Sequence, residues 1–104
     1  MELGQNDPFD WDGTFEWDDD KRLINLAKHD IDFVRVDLLF DGRPLYEKDS
    51  NRFGEDRMSS TGILDGEFVT AIWTRRGAKR RLISVRRARD AEERAHRQLH
   101  LGRA

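Results

Sequence analysis

From residue 14 onward the apolar residues keep two rhythms, first the helical one and then the alternation of strands. Leu23, Ile24 and Ala27, with Leu26 beside them, recur as one face of a helix and predict α-helix from Asp18 to about His29. Asp18 is placed to cap the first-turn amides, and Asp19 and Asp20 suit the positive end of the helix dipole. Lys21, Asn25 and Lys28 line a second face, with His29 at its edge. Phe33, Val36, Leu39 and Phe40 predict a second, shorter helix over 33–40, with Asp32 as its cap.

Beyond the turn at Asp41–Pro44 the period changes to two. Strands are expected at 14–17, 45–49, 56–64, 67–74 and 80–88; 67–74, rich in β-branched and aromatic residues, is the clearest. A loop over 50–55, Asp65-Gly66 and the Gly77 turn separate the later strands. A closing helix over 89–101 carries few apolar residues: Ala91, Ala95, Leu99 and Leu101. Short turns between consecutive strands predict an antiparallel meander of four to five strands. The fold class is α+β, with two N-terminal helices and a C-terminal helix packed on one face of the sheet. The other face is left for function. Residues 1–13, polar and punctuated by Gly and Pro, read as a loosely ordered extension, and 14–104 as a single domain. Phe9 and Trp11 are the extension's docking candidates.

Composition narrows the chemistry. There is no cysteine among the 104 residues, which removes thiolate nucleophiles and Cys-type zinc sites. No apolar run reaches the length of a membrane helix, and the first residues lack the pattern of a signal peptide, so the expectation is a cytoplasmic protein. The net charge of −2 conceals a polarity. Residues 1–20 hold eight acids and no Lys or Arg, whereas 75–103 hold eleven Lys or Arg against Asp90, Glu92 and Glu93. Such a basic block is a candidate polyanion site, and equally a solvated face with ordinary charge pairs.

The segment RRLISVRRA, residues 80–88, concentrates that charge. Alternation places Arg80, Leu82, Ser84 and Arg86 on one face and Arg81, Ile83, Val85 and Arg87 on the other. With Ile83 and Val85 in the core, Ser84 and Arg86 show a hydroxyl beside a guanidinium that matches phosphate oxygens. RNA can be cut without metal, its 2′-OH attacking the adjacent phosphodiester while a base, an acid and nearby cations assist. Candidate acid–base groups are His29 next to Lys28, then Glu55, His96 and His100. A helix-terminal His is as readily a C-terminal cap, and Glu55 an ordinary loop charge. His96 and His100 at i, i+4 suit a metal, but no third ligand or HExxH pattern accompanies them, and no cofactor is expected.

The stretch FEWDDDKRLINLAKHDIDF, through Phe15 to Asp18, Lys21, Asn25, Lys28-His29 and Phe33, resembles the opening of the BrnT toxins. EDRMSSTG, through Glu55, Arg57 and Gly62, and TRRGAKRRLISVRRARDAEER, through Thr74, Arg76, Gly77, Arg81, Ile83, Ser84, Arg86, Ala88, Glu93 and Arg94, are similar to later motifs of that family. The resemblance covers about residues 14–97. It implies a RelE-like fold and a ribonuclease toxin of a type II toxin–antitoxin pair. It further implies a BrnA-like ribbon-helix-helix antitoxin and a complex that binds operator DNA. It places the functional surface at Lys28, His29, Arg57, Arg81, Ser84 and Arg86. Lys21, Arg76, Arg80 and Arg87 are expected as further contacts to the RNA strand. Asp30 stands where the family usually has Gly, Arg97 where it often has Tyr, and the segment before Thr14 is not part of the shared pattern. A non-catalytic nucleic-acid-binding module and an antitoxin-docking module stay open beside the ribonuclease, as does a homodimer.

Overall fold

A computed structural model describes residues 9–52 and 54–101. The elements in chain order are β1 (Phe15–Glu16), α1 (Asp19–His29), a 3₁₀ helix (Phe33–Leu38), β2 (Tyr46–Asp49), β3 (Met58–Leu64), β4 (Glu67–Arg76), β5 (Lys79–Arg87) and α2 (Asp90–Leu101). The strands form one sheet in the order β1-β5-β4-β3-β2. Both expected caps form: Asp18 accepts from the amide of Asp20, and Asp32 from that of Val34. The β3–β4 hairpin turns at Asp65-Gly66, both with positive φ (52° and 80°), the backbone that a two-residue turn between right-twisted strands requires.

The core lies on one face of the sheet. Ile31 and the 3₁₀ residues Phe33, Val36 and Leu39 pack on Leu64, Val69, Ala71, Trp73, Leu82 and Val85. Gly62 lets the layers close, since a Cβ there would stand 2.7 Å from Leu45 and 3.0 Å from Leu39. The opposite face carries Phe68, Thr70, Ser84 and Arg86, and α2 lies against it: His96 meets the Phe68 ring edge-on, and Glu92 accepts from Thr70.

Five expectations are corrected. The second N-terminal helix is a 3₁₀ helix of six residues, because its β-branched and Asp-containing sequence is capped at both ends before an α-helix can propagate. The sheet is mixed, since β1 pairs in parallel with β5. The helices do not share a face; α2 covers part of the one expected to be left open. Leu23, Ile24 and Ala27 are not the buried stripe of α1: they are exposed, and Asn25 is buried in their place. Finally, a β-bulge shifts the register so that Ile72 opposes Ser84 while Trp73 opposes Leu82. Ile83 is the extra residue, and Leu82 joins Val85 in the core.

Candidate active site at the end of the first helix

The site begins with an uncovered sheet edge. β1 pairs only with Arg80 and Arg81, so at Val85 the outer edge of β5 has no neighbouring strand among the described residues. Asn25 supplies the missing partner. Its Nδ2 donates to the Val85 carbonyl (2.9 Å) and the Ile31 carbonyl (3.1 Å); its Oδ1 accepts from the Val85 N–H (3.0 Å) and the Ser84 hydroxyl (3.3 Å). With Asn25 only 5% exposed, these bonds satisfy a buried amide and the buried backbone of β5 together. They also explain why the apolar stripe of α1 faces away from the sheet: the Asn25 side must face inward.

One turn beyond Asn25, α1 ends at Lys28 and His29. Asp30 takes the left-handed conformation (φ 58°, ψ 33°) and its amide donates to the Leu26 carbonyl at 2.9 Å, so it closes the helix as a glycine would. Lys28 is exposed and His29 half-buried. Burial, then the charges of Lys28 and Arg86, lower the His29 pKa below its ordinary 6.5. The Arg87 guanidinium donates to the His29 carbonyl at 3.4 Å and pairs with Glu67 at 2.9 Å. The helix end thus brings an imidazole of lowered pKa together with Lys28, Arg86 and Arg87, with Ser84 tied in through Asn25.

Arg86 is not a free cation. It forms a two-pronged pair with Glu92 (2.8 and 2.9 Å). Glu92, 5% exposed, also accepts from the Thr70 hydroxyl (3.0 Å) and the Arg89 amide (2.8 Å), and Thr70 bonds Thr61 at 2.6 Å. Burial works to raise the Glu92 pKa, but the Arg86 guanidinium, the Arg89 amide and the Thr70 hydroxyl outweigh it and hold the carboxyl at about 2. Neither Asn25 nor Glu92 was expected in this role. Asn25 stood in the Lys21–Lys28 row and among the residues of the family resemblance, but neither pointed to a strand-edge role. Glu92 was legible as the Glu three residues past the residue before α2, the position from which a carboxylate reaches back to a helix-capping amide.

The remaining candidates lie elsewhere. Arg81 pairs with Glu16 at 2.8 Å. Arg57 pairs with Glu55 at 2.8 Å and lines a cleft of about 540 Å³ with Phe9, Met58, Trp73, Arg75 and others. Lys21 and Arg76 are exposed. Arg80 sits inside an aromatic cage, 4.1 Å from the centroid of Trp11, 4.5 Å from those of Phe40 and Trp73, and 5.3 Å from that of Phe9. His96 is buried, its Nε2 at 3.2 Å from the Pro44 carbonyl oxygen. The side chain of His100 lies outside the described residues. No group of three His, Cys, Asp or Glu able to hold a metal occurs among the described residues.

Residues 17–92 match the family described as the ribonuclease toxin BrnT of type II toxin–antitoxin systems. The chain belongs to that family. The match takes in Lys28, His29, Arg57, Arg81, Ser84 and Arg86 and ends on Glu92, so both halves of the Arg86–Glu92 pair of this BrnT-family toxin fall within it. No curated protein is significantly similar to the chain.

Proposed function

We propose that this BrnT-family toxin is a metal-independent endoribonuclease whose cleavage of RNA in the cytoplasm stops translation and growth. A BrnA-like ribbon-helix-helix antitoxin neutralises it, and the pair binds operator DNA. The β1-α1-3₁₀-β2-β3-β4-β5-α2 order supports a RelE-like assignment of the fold. The observation that carries the reading is the placement of His29 at the helix end beside Lys28, Arg86 and Arg87, where burial and the charges of Lys28 and Arg86 lower its imidazole pKa. A neutral imidazole can accept the 2′-OH proton, and fixed cations can hold the phosphate as it gains charge. The 2′-oxygen attacks phosphorus, the P–O5′ bond breaks, and the leaving 5′-oxygen takes a proton, giving a 2′,3′-cyclic phosphate and a 5′-hydroxyl. Ser84 and Arg57 serve as further polar contacts to the strand.

The test is labelled RNA incubated with the toxin in EDTA. Cleavage is expected to persist under the chelator and to fall about 100-fold or more in His29→Gln, the range for removing a general base. The logarithm of kcat/KM for wild type should rise with pH through a value below 6.5, the direction of the His29 shift. That acid limb disappears in the variant. Full activity in His29→Gln would remove this imidazole from the chemistry. One observation favours binding without cleavage: Glu92 already neutralises Arg86. RNA that is retained by the wild-type toxin but stays intact would establish that second reading.

A further inference from the structure

Leu23 is 57% exposed and Ile24 65% exposed, and Ala27 beside them is exposed as well. These residues form the outward face of α1, because Asn25 commits the other side to β5. Val34 and Leu38, 51% and 47% exposed, repeat the pattern on the 3₁₀ helix. That helix is fastened to α1 by the paired bonds from Arg22 to Asp32 (2.8 and 3.0 Å). In a chain that is 38% charged, so much aliphatic surface on two tied elements marks a place where another molecule sits. Lys21 and Lys28 flank Ile24 on the same helix, and neither has an ion-pair partner among the described residues. The surface is therefore apolar from Leu23 to Ala27, with the exposed Asp20 at the N-terminal end of the ridge and Lys21 and Lys28 making one side positive.

We infer that this ridge receives the toxin's antitoxin, as an amphipathic segment that lays an apolar stripe on Leu23, Ile24 and Ala27 and sets carboxylates against Lys21 and Lys28. The inference rests on the family's toxin–antitoxin pairing and names the contact through which the antitoxin acts. A second copy of the toxin is a poorer occupant, because a two-fold contact through α1 sets Lys21 and Lys28 of one copy against the same lysines of the other. A segment seated on α1 covers Lys28 and lies against the turn that carries His29. Neutralisation is then occlusion of the helix end, with no rearrangement of the sheet.

The experiment uses full-length toxin and its cognate antitoxin, with Leu23→Glu and Ile24→Glu variants. Both sites are solvent-facing, so thermal melts and RNA cleavage should match wild type. Antitoxin affinity by calorimetry should fall about 30-fold or more, as expected for a charge placed in the apolar centre of an interface. The variants should also keep cutting RNA in the presence of antitoxin that silences wild type. Wild-type affinity in both variants overturns the proposal. So does a wild-type toxin dimer that Ile24→Glu dissociates while antitoxin affinity holds. A wild-type toxin that cuts no RNA sinks the ribonuclease reading alone, since calorimetry still decides the docking.

Discussion

Among single residues, the pairing of Arg86 with Glu92 alters how an arginine on a phosphate-binding face can be tested. Truncating Arg86 removes a cation from the His29 environment and also strands a buried carboxylate. Breaking a buried pair from one side costs roughly 3–5 kcal/mol, so Arg86→Ala is expected to lose stability in urea melts by about that amount. Glu92 also sets an acid limit. Its folded pKa of about 2 lies below its ordinary 4.5, so its contribution is present above pH 4.5 and is lost as the pH falls toward 2. Acid unfolding in Glu92→Gln should lack this component, and melts of wild type and variant across that window measure it. An unchanged melt in both variants would show the clasp to be energetically idle.

Among the elements, α1 is held by polar bonds where an amphipathic helix would use its apolar stripe. Asn25 acts in place of a strand, pairing with both the N–H and the carbonyl of Val85. In Asn25→Ala those two groups and the Ile31 carbonyl lose their partner. A buried donor or acceptor left unsatisfied costs about 1–3 kcal/mol. A loss of that order is expected on chemical denaturation, with α1 loosened from β5. Loosening also frees His29 from part of its burial, so its imidazole, followed by NMR, should titrate closer to 6.5 than in wild type. A variant as stable as wild type with an unmoved His29 titration would mean that α1 is held mainly by its neighbours Arg22 and Leu26.

At the scale of the whole molecule, residues 9–14 close one end of the fold. Trp11 lies over Arg80 and against Phe15 and Phe40, while its indole N–H donates to the Thr14 carbonyl at 2.7 Å. Phe9 stacks on Trp73, with the Arg75 guanidinium 4.6 Å from its ring. Lys79 joins the same segment through the Thr14 hydroxyl at 2.9 Å. Residues 9–14 and the basic stretch from Arg75 to Arg80 therefore meet partly through rings that hold guanidinium groups. Trp11→Ala should destabilise the fold by about 3 kcal/mol, combining a lost large side chain with a lost cation–π contact. Urea melts check it, and a change under 0.5 kcal/mol would show the cage to be superficial.

The sequence by itself determined the elements, their caps and the chemistry present at each, because these depend on neighbours a few residues apart. Asp18 and Asp32 cap as their local spacing dictates, and five strands fall within a few residues of where alternation puts them. The family was legible too, since its motifs lie in order along the chain and the family match covers residues 17–92. Tertiary structure alone decided which side of each element is inside. Hydrophobic period sends Leu23 and Ile24 inward, yet the unsatisfied edge of β5 claims Asn25 and turns them to solvent. Alternation sends Ile83 inward, yet one bulge hands that place to Leu82. Composition counts Arg80 and Arg86 as cations for a polyanion, yet a ring cage and a buried carboxylate occupy them first. For α1 the buried backbone of Val85, 60 residues from Asn25, outweighs the local pattern, because leaving a buried polar group unpaired costs more than exposing a leucine.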